Sequence, residues 1–166
     1  MEAEYDHPAW MIDLIQADYP NAWQQILTSS LTRAPLSLRV NLTMNDRLAY
    51  QVLLAQQGVI AHFGLPEEAL VLDTPTPVAE LPGFSTGSFA IQDSGAMWAA
   101  TLLGATGTDR VLDACAAPGG KAVHLLQRAP SIRLTAVEIH AERCDTLRSE
   151  LHRSGLDLAP ILQGDA

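Results

Sequence analysis

The sequence predicts an α/β protein, with an open sheet of three parallel strands in its second half and a small α+β module before it. Three observations carry this. From Arg110 onward short apolar runs alternate with helix-length segments, the rhythm of right-handed βαβ crossovers. The stretch Val111-Leu112-Asp113-Ala114-Cys115-Ala116-Ala117-Pro118-Gly119-Gly120-Lys121 runs from apolar residues through an acid into Pro and Gly-Gly, then opens a helical pattern. A parallel strand hands over to a ligand-binding turn in this way. Upstream, Pro75, Pro77, Pro82, Gly83 and Gly87 are dense enough in breakers to mark a boundary.

Taken in order, Pro8 suits a first helical turn with Asp6 as its cap. Met11, Leu14, Ile15 and Asp18 define one face of that helix, and Tyr19-Pro20 ends it. Asn21 caps a second helix bearing Trp23, Ile26 and Leu27, and Trp10 and Trp23 are expected to pack between the two. Leu36 to Asn41 alternates with period 2 and reads as a half-buried strand. Arg39 on it is expected to be solvated, with an RNA contact as the alternative. Asn45 or Asp46 caps a helix whose face is Leu48, Val52 and Leu53, with Gly58 just past its end. Val59 to Phe63 and Ala69 to Leu72 are short strands around a Gly64-Leu65-Pro66 turn.

Beyond the breakers, Ser88 to Ile91 is a strand, and Gln92-Asp93-Ser94 caps a small-residue helix closed by Gly104. Strands follow at Arg110 to Ala114, Arg133 to Glu138 and Ala159 to Gln163, with helices over about Lys121 to Gln127 and His140 to Ser154. In the last helix Cys144, Leu147 and Leu151 form the buried stripe, while Arg143, Arg148, Glu150 and Arg153 face water. The expected domains are a small α+β module over 1–74, a connection over 75–87 and the start of a larger α/β domain over 88–166.

Composition narrows the function classes. A hydrophobic fraction of 48% in 166 residues supports a packed core, and no run approaches the ~18 apolar residues of a membrane span. The acidic N-terminus lacks an apolar signal region, so a cytoplasmic protein is expected. Two cysteines form no disulfide framework, and the five histidines show no metal-ligand spacing. A net charge of −9 argues against a free-standing nucleic-acid binder; for a nucleic-acid partner, most of the basic surface must lie outside this chain.

Asp113, Glu138 and Asp165 each stand at or just past a strand end, where ligands of open α/β sheets bind. Glu138 lies 25 residues after Asp113, near the spacing of a carboxylate that accepts ribose hydroxyls. Asp165 is placed to reach a base or its exocyclic amine. Gly119 and Gly120 let the main chain approach a ligand, and the helix start offers free N–H groups to an anion. A phosphate-binding P-loop requires Gly where Cys115 stands and Ser or Thr where Ala122 stands, and Gly-x-Gly-x-x-Gly is absent. The pattern suits S-adenosyl-L-methionine, which has no phosphates; another nucleotide and a purely structural turn stay open.

Leu112 to Lys121 resembles the S-adenosylmethionine motif of the RNA cytosine-5 methyltransferase family, the Nol1/Nop2/Sun group. Gln92-Asp93, Ala136-Val137-Glu138 and Gln163-Gly164-Asp165 are similar to its flanking motifs. Further upstream, His7-Pro8-Ala9-Trp10, Leu38-Arg39-Val40-Asn41, Thr74-Pro75-Thr76-Pro77-Val78 and Leu81-Pro82-Gly83-Phe84 resemble its bacterial 16S ribosomal RNA methyltransferase B branch. The resemblance implies an RRM-like module before a Rossmann-like methyltransferase domain, here cut after its first three parallel strands. It implies that Asp113, Cys115, Ala116, Ala117, Pro118, Gly119, Gly120, Lys121, Glu138 and Asp165 bind S-adenosyl-L-methionine. Ala122 replaces the family's Thr or Ser and Glu138 its usual Asp, and both departures bear on cofactor affinity.

The implied reaction is methyl transfer to C5 of a cytosine in 16S ribosomal RNA. A cysteine thiolate adds to C6 and makes C5 nucleophilic, and a second cysteine assists release. Neither Cys115 nor Cys144 matches those positions, so no catalytic residue is assigned in this chain and the nucleophile is expected beyond Ala166. The family's N-terminal RNA-binding domain is not represented either. The expectation is a piece of a longer enzyme, inactive alone. The alternatives are a non-catalytic module binding cofactor or a partner, and a related methyltransferase acting on transfer RNA or protein.

Overall fold

The computed structural model describes residues 2–156 and 159–166 and divides the chain into two units, 1–34 and 35–166. The first holds α1 (Glu2–Tyr5), α2 (Ala9–Asp18) and α3 (Trp23–Ser30). Pro8 precedes α2 as its N-cap residue, and the Ala9 N–H donates to Glu2 Oε1 at 2.6 Å, so Glu2 rather than Asp6 serves the helix start. Ala22, not Asn21, is the N-cap of α3. Tyr5, Ile12 and Leu27 form the small core, with Trp23 edge-on to Tyr5 at 5.5 Å between ring centroids. Trp10, expected between the helices, is 64% exposed, and the buried stripe of α2 runs through Ile12 instead of Leu14. Apolar residues lie nearly all round α2, so periodicity does not select its inner face.

The second unit begins with β1 (Leu36–Val40), α4 (Arg47–Gln56), β2 (Ala61–Phe63) and β3 (Ala69–Leu72). A 3-10 turn follows at Val78–Glu80, then β4 (Phe89–Ile91). These strands form an antiparallel sheet in the order β2-β3-β1-β4. Asp46 caps α4, accepting from the Ala49 N–H at 3.0 Å. α4 buries Tyr50 and Leu54 against the sheet and leaves Leu48, Val52 and Leu53 outside. Tyr50 decides that face: its ring lies against Phe89, and its hydroxyl donates to Pro82 O at 2.8 Å.

Two expectations change here. β1 is a central strand, with Leu36 opposite Leu72 of β3 and Val40 opposite Phe89 of β4. It is buried on both faces rather than one. The strand at Phe89–Ile91, assigned by sequence to 88–166, completes this sheet and not the parallel one. An unpaired flank of β1 would leave buried N–H and C=O groups without partners, and β4 supplies them.

The chain continues through α5 (Ser94–Leu103), β5 (Arg110–Asp113), α6 (Gly120–Arg128), β6 (Arg133–Glu138), α7 (Ala141–Arg153) and β7 (Ile161–Gln163). Asp93 caps α5 through the Gly95 and Ala96 N–H groups. β5, β6 and β7 pair in parallel in that order, with Asp113 opposite Ala136 and Glu138 opposite Gln163. Val123, Leu126, Leu134, Ala136, Leu147 and Leu151 pack one face of this sheet against α6 and α7. Cys144, Leu147 and Leu151 are buried as the stripe predicts.

Arg153 does not face water. It pairs with Glu150 at 2.5 Å, donates to Phe84 O and Phe89 O, and lies 4.5 Å over the Phe84 ring. Close packing there leaves no room at Gly87, whose added Cβ would stand 2.7 Å from Arg153 O. The long aliphatic stem of arginine makes such half-buried bridging affordable.

Candidate functional site

β5 delivers Asp113 to the carboxyl edge of the parallel sheet, and the chain turns through residues 114–119 into α6. Asp113 is half-buried, and its Oδ2 has no hydrogen-bond partner. Burial pushes its carboxyl above the usual range, opposed by the Cys115 amide and the Lys121 charge. A buried carboxylate oxygen without a partner is costly and calls for a donor from water, an ion or a ligand.

The turn itself is held from behind. The Ala116 N–H donates to Val137 O of β6 at 3.0 Å, and Ala116 and Ala117 are buried. Gly119 has φ +116°, and an added Cβ would lie 2.9 Å from Leu147 Cδ1, so only glycine fits without displacing the core. Gly119 is also the N-cap of α6 and has no side chain to cap the first N–H groups. Those amides therefore remain available to an anionic group. Cys115, Pro118 and Lys121 are exposed, whereas Ala122 is packed in the core, so the missing hydroxyl there removes no surface group.

Glu138, at the end of β6, is only 3% exposed. Its Oε1 accepts from the His140 N–H at 3.1 Å, and Arg143 approaches its Oε2 at 3.4 Å. The His140 amide first, then the Arg143 charge and the Ala117 amide, hold this carboxyl below its usual range against burial. Arg143 also donates to Ala117 O at 2.8 Å and so bridges the turn to the strand-end acid. The register brings Asp113, Glu138 and the segment after Gln163 to one sheet edge. Asp165 itself is exposed there.

Sequence reasoning missed a buried polar layer behind α6. Arg39, expected in solvent or on RNA, is fully buried. It donates to Gln92 Oε1, to Gly120 O at 2.5 Å and to Gln127 Oε1 at 3.3 Å. Burial lowers it to about 10, which leaves it charged at neutral pH. Gln92, expected to cap α5, instead donates to Ala96 O and receives Arg39. Nearby, Glu68 accepts from Arg128 and from His124 Nε2. Burial and the Arg39 charge push His124 down to about 4, so at neutral pH it is an uncharged donor rather than half of an ion pair. The alternation of β1 places Arg39 opposite the Leu38 and Val40 face; recognising β1 as central would have revealed its burial.

A parallel sheet whose first strand ends in an acid and a Gly-Gly helix start is the architecture of Rossmann-like methyltransferases. NSun6 from Pyrococcus horikoshii with SFG shares this fold, at TM-score 0.82 and 15% identity over 95% of the chain and 65% of that protein. A methyltransferase homologue from Pyrococcus horikoshii does so at TM-score 0.86 and 21% identity, over 99% of the chain and 55% of that protein. The family description "Methyltr_RsmF/B-like, ferredoxin-like domain" matches residues 7–79, and "16S rRNA methyltransferase RsmB/F" matches 100–166. The chain belongs to this RsmB/F methyltransferase family. It is 40% identical over 163 residues to ribosomal RNA small subunit methyltransferase B of Vibrio cholerae, covering 98% of the chain. The corresponding Shewanella oneidensis protein is 41% identical over 162 residues, also 98% of the chain. The chain spans 37% and 38% of the length of these relatives.

Proposed function

We propose that this chain carries the S-adenosyl-L-methionine-binding part of an enzyme that methylates C5 of a cytosine in 16S ribosomal RNA. The observation that carries the reading is the orphaned Asp113 Oδ2 beside an uncapped helix start. Asp113 orients the amino-acid end of the cofactor, the amides opening α6 receive its carboxylate, and the main chain of Cys115 to Lys121 lines the approach. Glu138, kept ionised, accepts the ribose hydroxyls. Asp165 faces the base. When bound, the cofactor supplies the activated methyl group.

The cysteine that activates the cytosine lies outside residues 1–166 in this reading. Cys144 is buried with its thiol 3.7 Å from Glu138 O, and Cys115 belongs to the turn. The organisation is a small α+β module over 1–74, a connection over 75–87 and a methyltransferase part over 88–166 that lends β4 to the first sheet. The ribosomal RNA substrate is supported by the small-subunit relatives, and a cytoplasmic location accords with it. Among the described residues no helix is long and apolar enough to cross a membrane.

NMR titration of the 166-residue chain with S-adenosylhomocysteine tests the reading. The expected result is weak binding, above the low micromolar range, that shifts the amides of residues 115–117, 119–121 and 138 and is lost in Glu138→Gln. Unmoved resonances at millimolar ligand, or equal shifts with ATP, overturn it.

A further inference from the structure

Among the described residues Arg39 is the largest fully buried side chain and makes no direct ion pair, and the charges of Glu150 and Glu68 only partly offset its burial. Its side-chain partners come from other elements: Gly120 O at the first residue of α6, Gln127 in the same helix, and Gln92, which is joined to α5 through Ala96 O. Its Nε has no partner. Removing a guanidinium from water is expensive, and well-packed apolar residues fill such space at lower cost. Positive charge is also poorly placed at a helix N-terminus, where the macrodipole opposes it. Stability alone therefore gives a weak account of an arginine aimed at this carbonyl.

What the contact does supply is geometry. Gly120 follows Gly119, whose left-handed backbone has little freedom against Leu147. The carbonyl of Gly120 accepts from Arg39, a residue of an inner strand of the antiparallel sheet. We propose that Arg39 is a positioning residue for the Gly119-Gly120 turn, through which the antiparallel sheet sets the geometry of the cofactor-binding turn. The inference rests on the cofactor reading above. It gives the small module a mechanical role: movement of β1 displaces the first turn of α6.

The test compares the 166-residue chain with Arg39→Met, Arg39→Lys and Arg153→Met by amide hydrogen exchange and titration with S-adenosylhomocysteine. Arg153 serves as the control, because its hydrogen bonds run to Phe84 O, Phe89 O and Glu150 and not to the carbonyl of Gly120. In Arg39→Met the amides of residues 119–123 exchange at least tenfold faster, while those of α4 stay within twofold. Arg39→Lys, which keeps the charge on a single donor nitrogen, raises exchange in the turn about threefold. Arg153→Met leaves the turn within twofold. Affinity for S-adenosylhomocysteine falls at least fivefold in Arg39→Met and recovers partly in Arg39→Lys.

Wild-type exchange in the turn of a folded Arg39→Met chain overturns the proposal. So does parallel loosening of turn and α4 in both Arg39→Met and Arg153→Met, which marks a merely structural arginine. Should Arg39→Met not fold, an unchanged turn in Arg39→Lys overturns it. If the exchange pattern holds while the unaltered chain shows no ligand response, the cofactor reading has failed and the mechanical link stands.

Discussion

The two sheets treat their charged residues in opposite ways. In the antiparallel sheet Arg39 sits mid-strand on β1, a strand paired on both sides; its two terminal nitrogens donate to Gln92, Gly120 and Gln127, and only its Nε has no partner. In the parallel sheet Asp113 ends β5, which among the described residues pairs with β6 alone, and one carboxylate oxygen has no partner. The first sheet uses its polar groups to hold the fold. The second leaves some unspent at the edge where a ligand is expected. Unsatisfied buried polar atoms are therefore weighed by position: at a strand end beside a glycine turn, one is open to a donor from outside the chain, which supports the proposed site.

Core truncation separates the sheets most sharply. Leu70→Ala, at a fully buried position of β3, is expected to cost about 2–5 kcal/mol in chemical denaturation. Leu112→Ala in β5, 60% exposed, is expected to cost less than about 0.5 kcal/mol. Similar losses at the two positions would erase the contrast.

Acid acts next, through the layer behind α6. His124 is neutral in the fold down to about 4 but takes up a proton near 6.5 when unfolded, so the unfolded state binds more protons between those values. Stability falls as the pH drops through this window, by up to about 1.4 kcal/mol per unit. Glu68, lowered by its own backbone amide and by His124 and Arg128 despite burial, adds loss in the same direction below the usual carboxylate range. Urea midpoints from pH 7 to 4 measure this, and His124→Gln should flatten the upper part of the curve.

Asp113→Asn is a smaller and opposite perturbation. Burial disfavours the charged carboxyl, so the amide should leave the melting temperature unchanged or raise it while the response to S-adenosylhomocysteine disappears. A large drop in melting temperature would mean that Asp113 serves the fold, as Arg39 does in part. The smallest effect is at the cysteines. Iodoacetamide should label exposed Cys115 in the folded chain and reach buried Cys144 only after denaturation. Equal labelling would show that the α7 stripe opens readily.

Much of the parallel sheet was legible in the chain. Its three strands, α6, α7 and the Cys144-Leu147-Leu151 stripe follow from short apolar runs alternating with clear helical periods. The antiparallel sheet was harder. Phe89–Ile91 reads as a strand, but nothing local says which sheet it joins, because pairing is a long-range choice. The faces of α2 and α4 were also misplaced: both helices carry apolar residues on more than one side, and the neighbouring surface decides which are covered.

By itself the sequence determined the strand-to-turn handover at Asp113 to Lys121, the demand for glycine there, and the carboxylate at Glu138. These depend on backbone sterics and on residue order along one segment. Only the tertiary structure decided that Arg39 is buried against Gly120, that Arg143 ties Ala117 to Glu138, and that His124 is uncharged. Each of those outcomes depends on which groups distant in sequence share a desolvated space, and a desolvated charge takes its state from those neighbours.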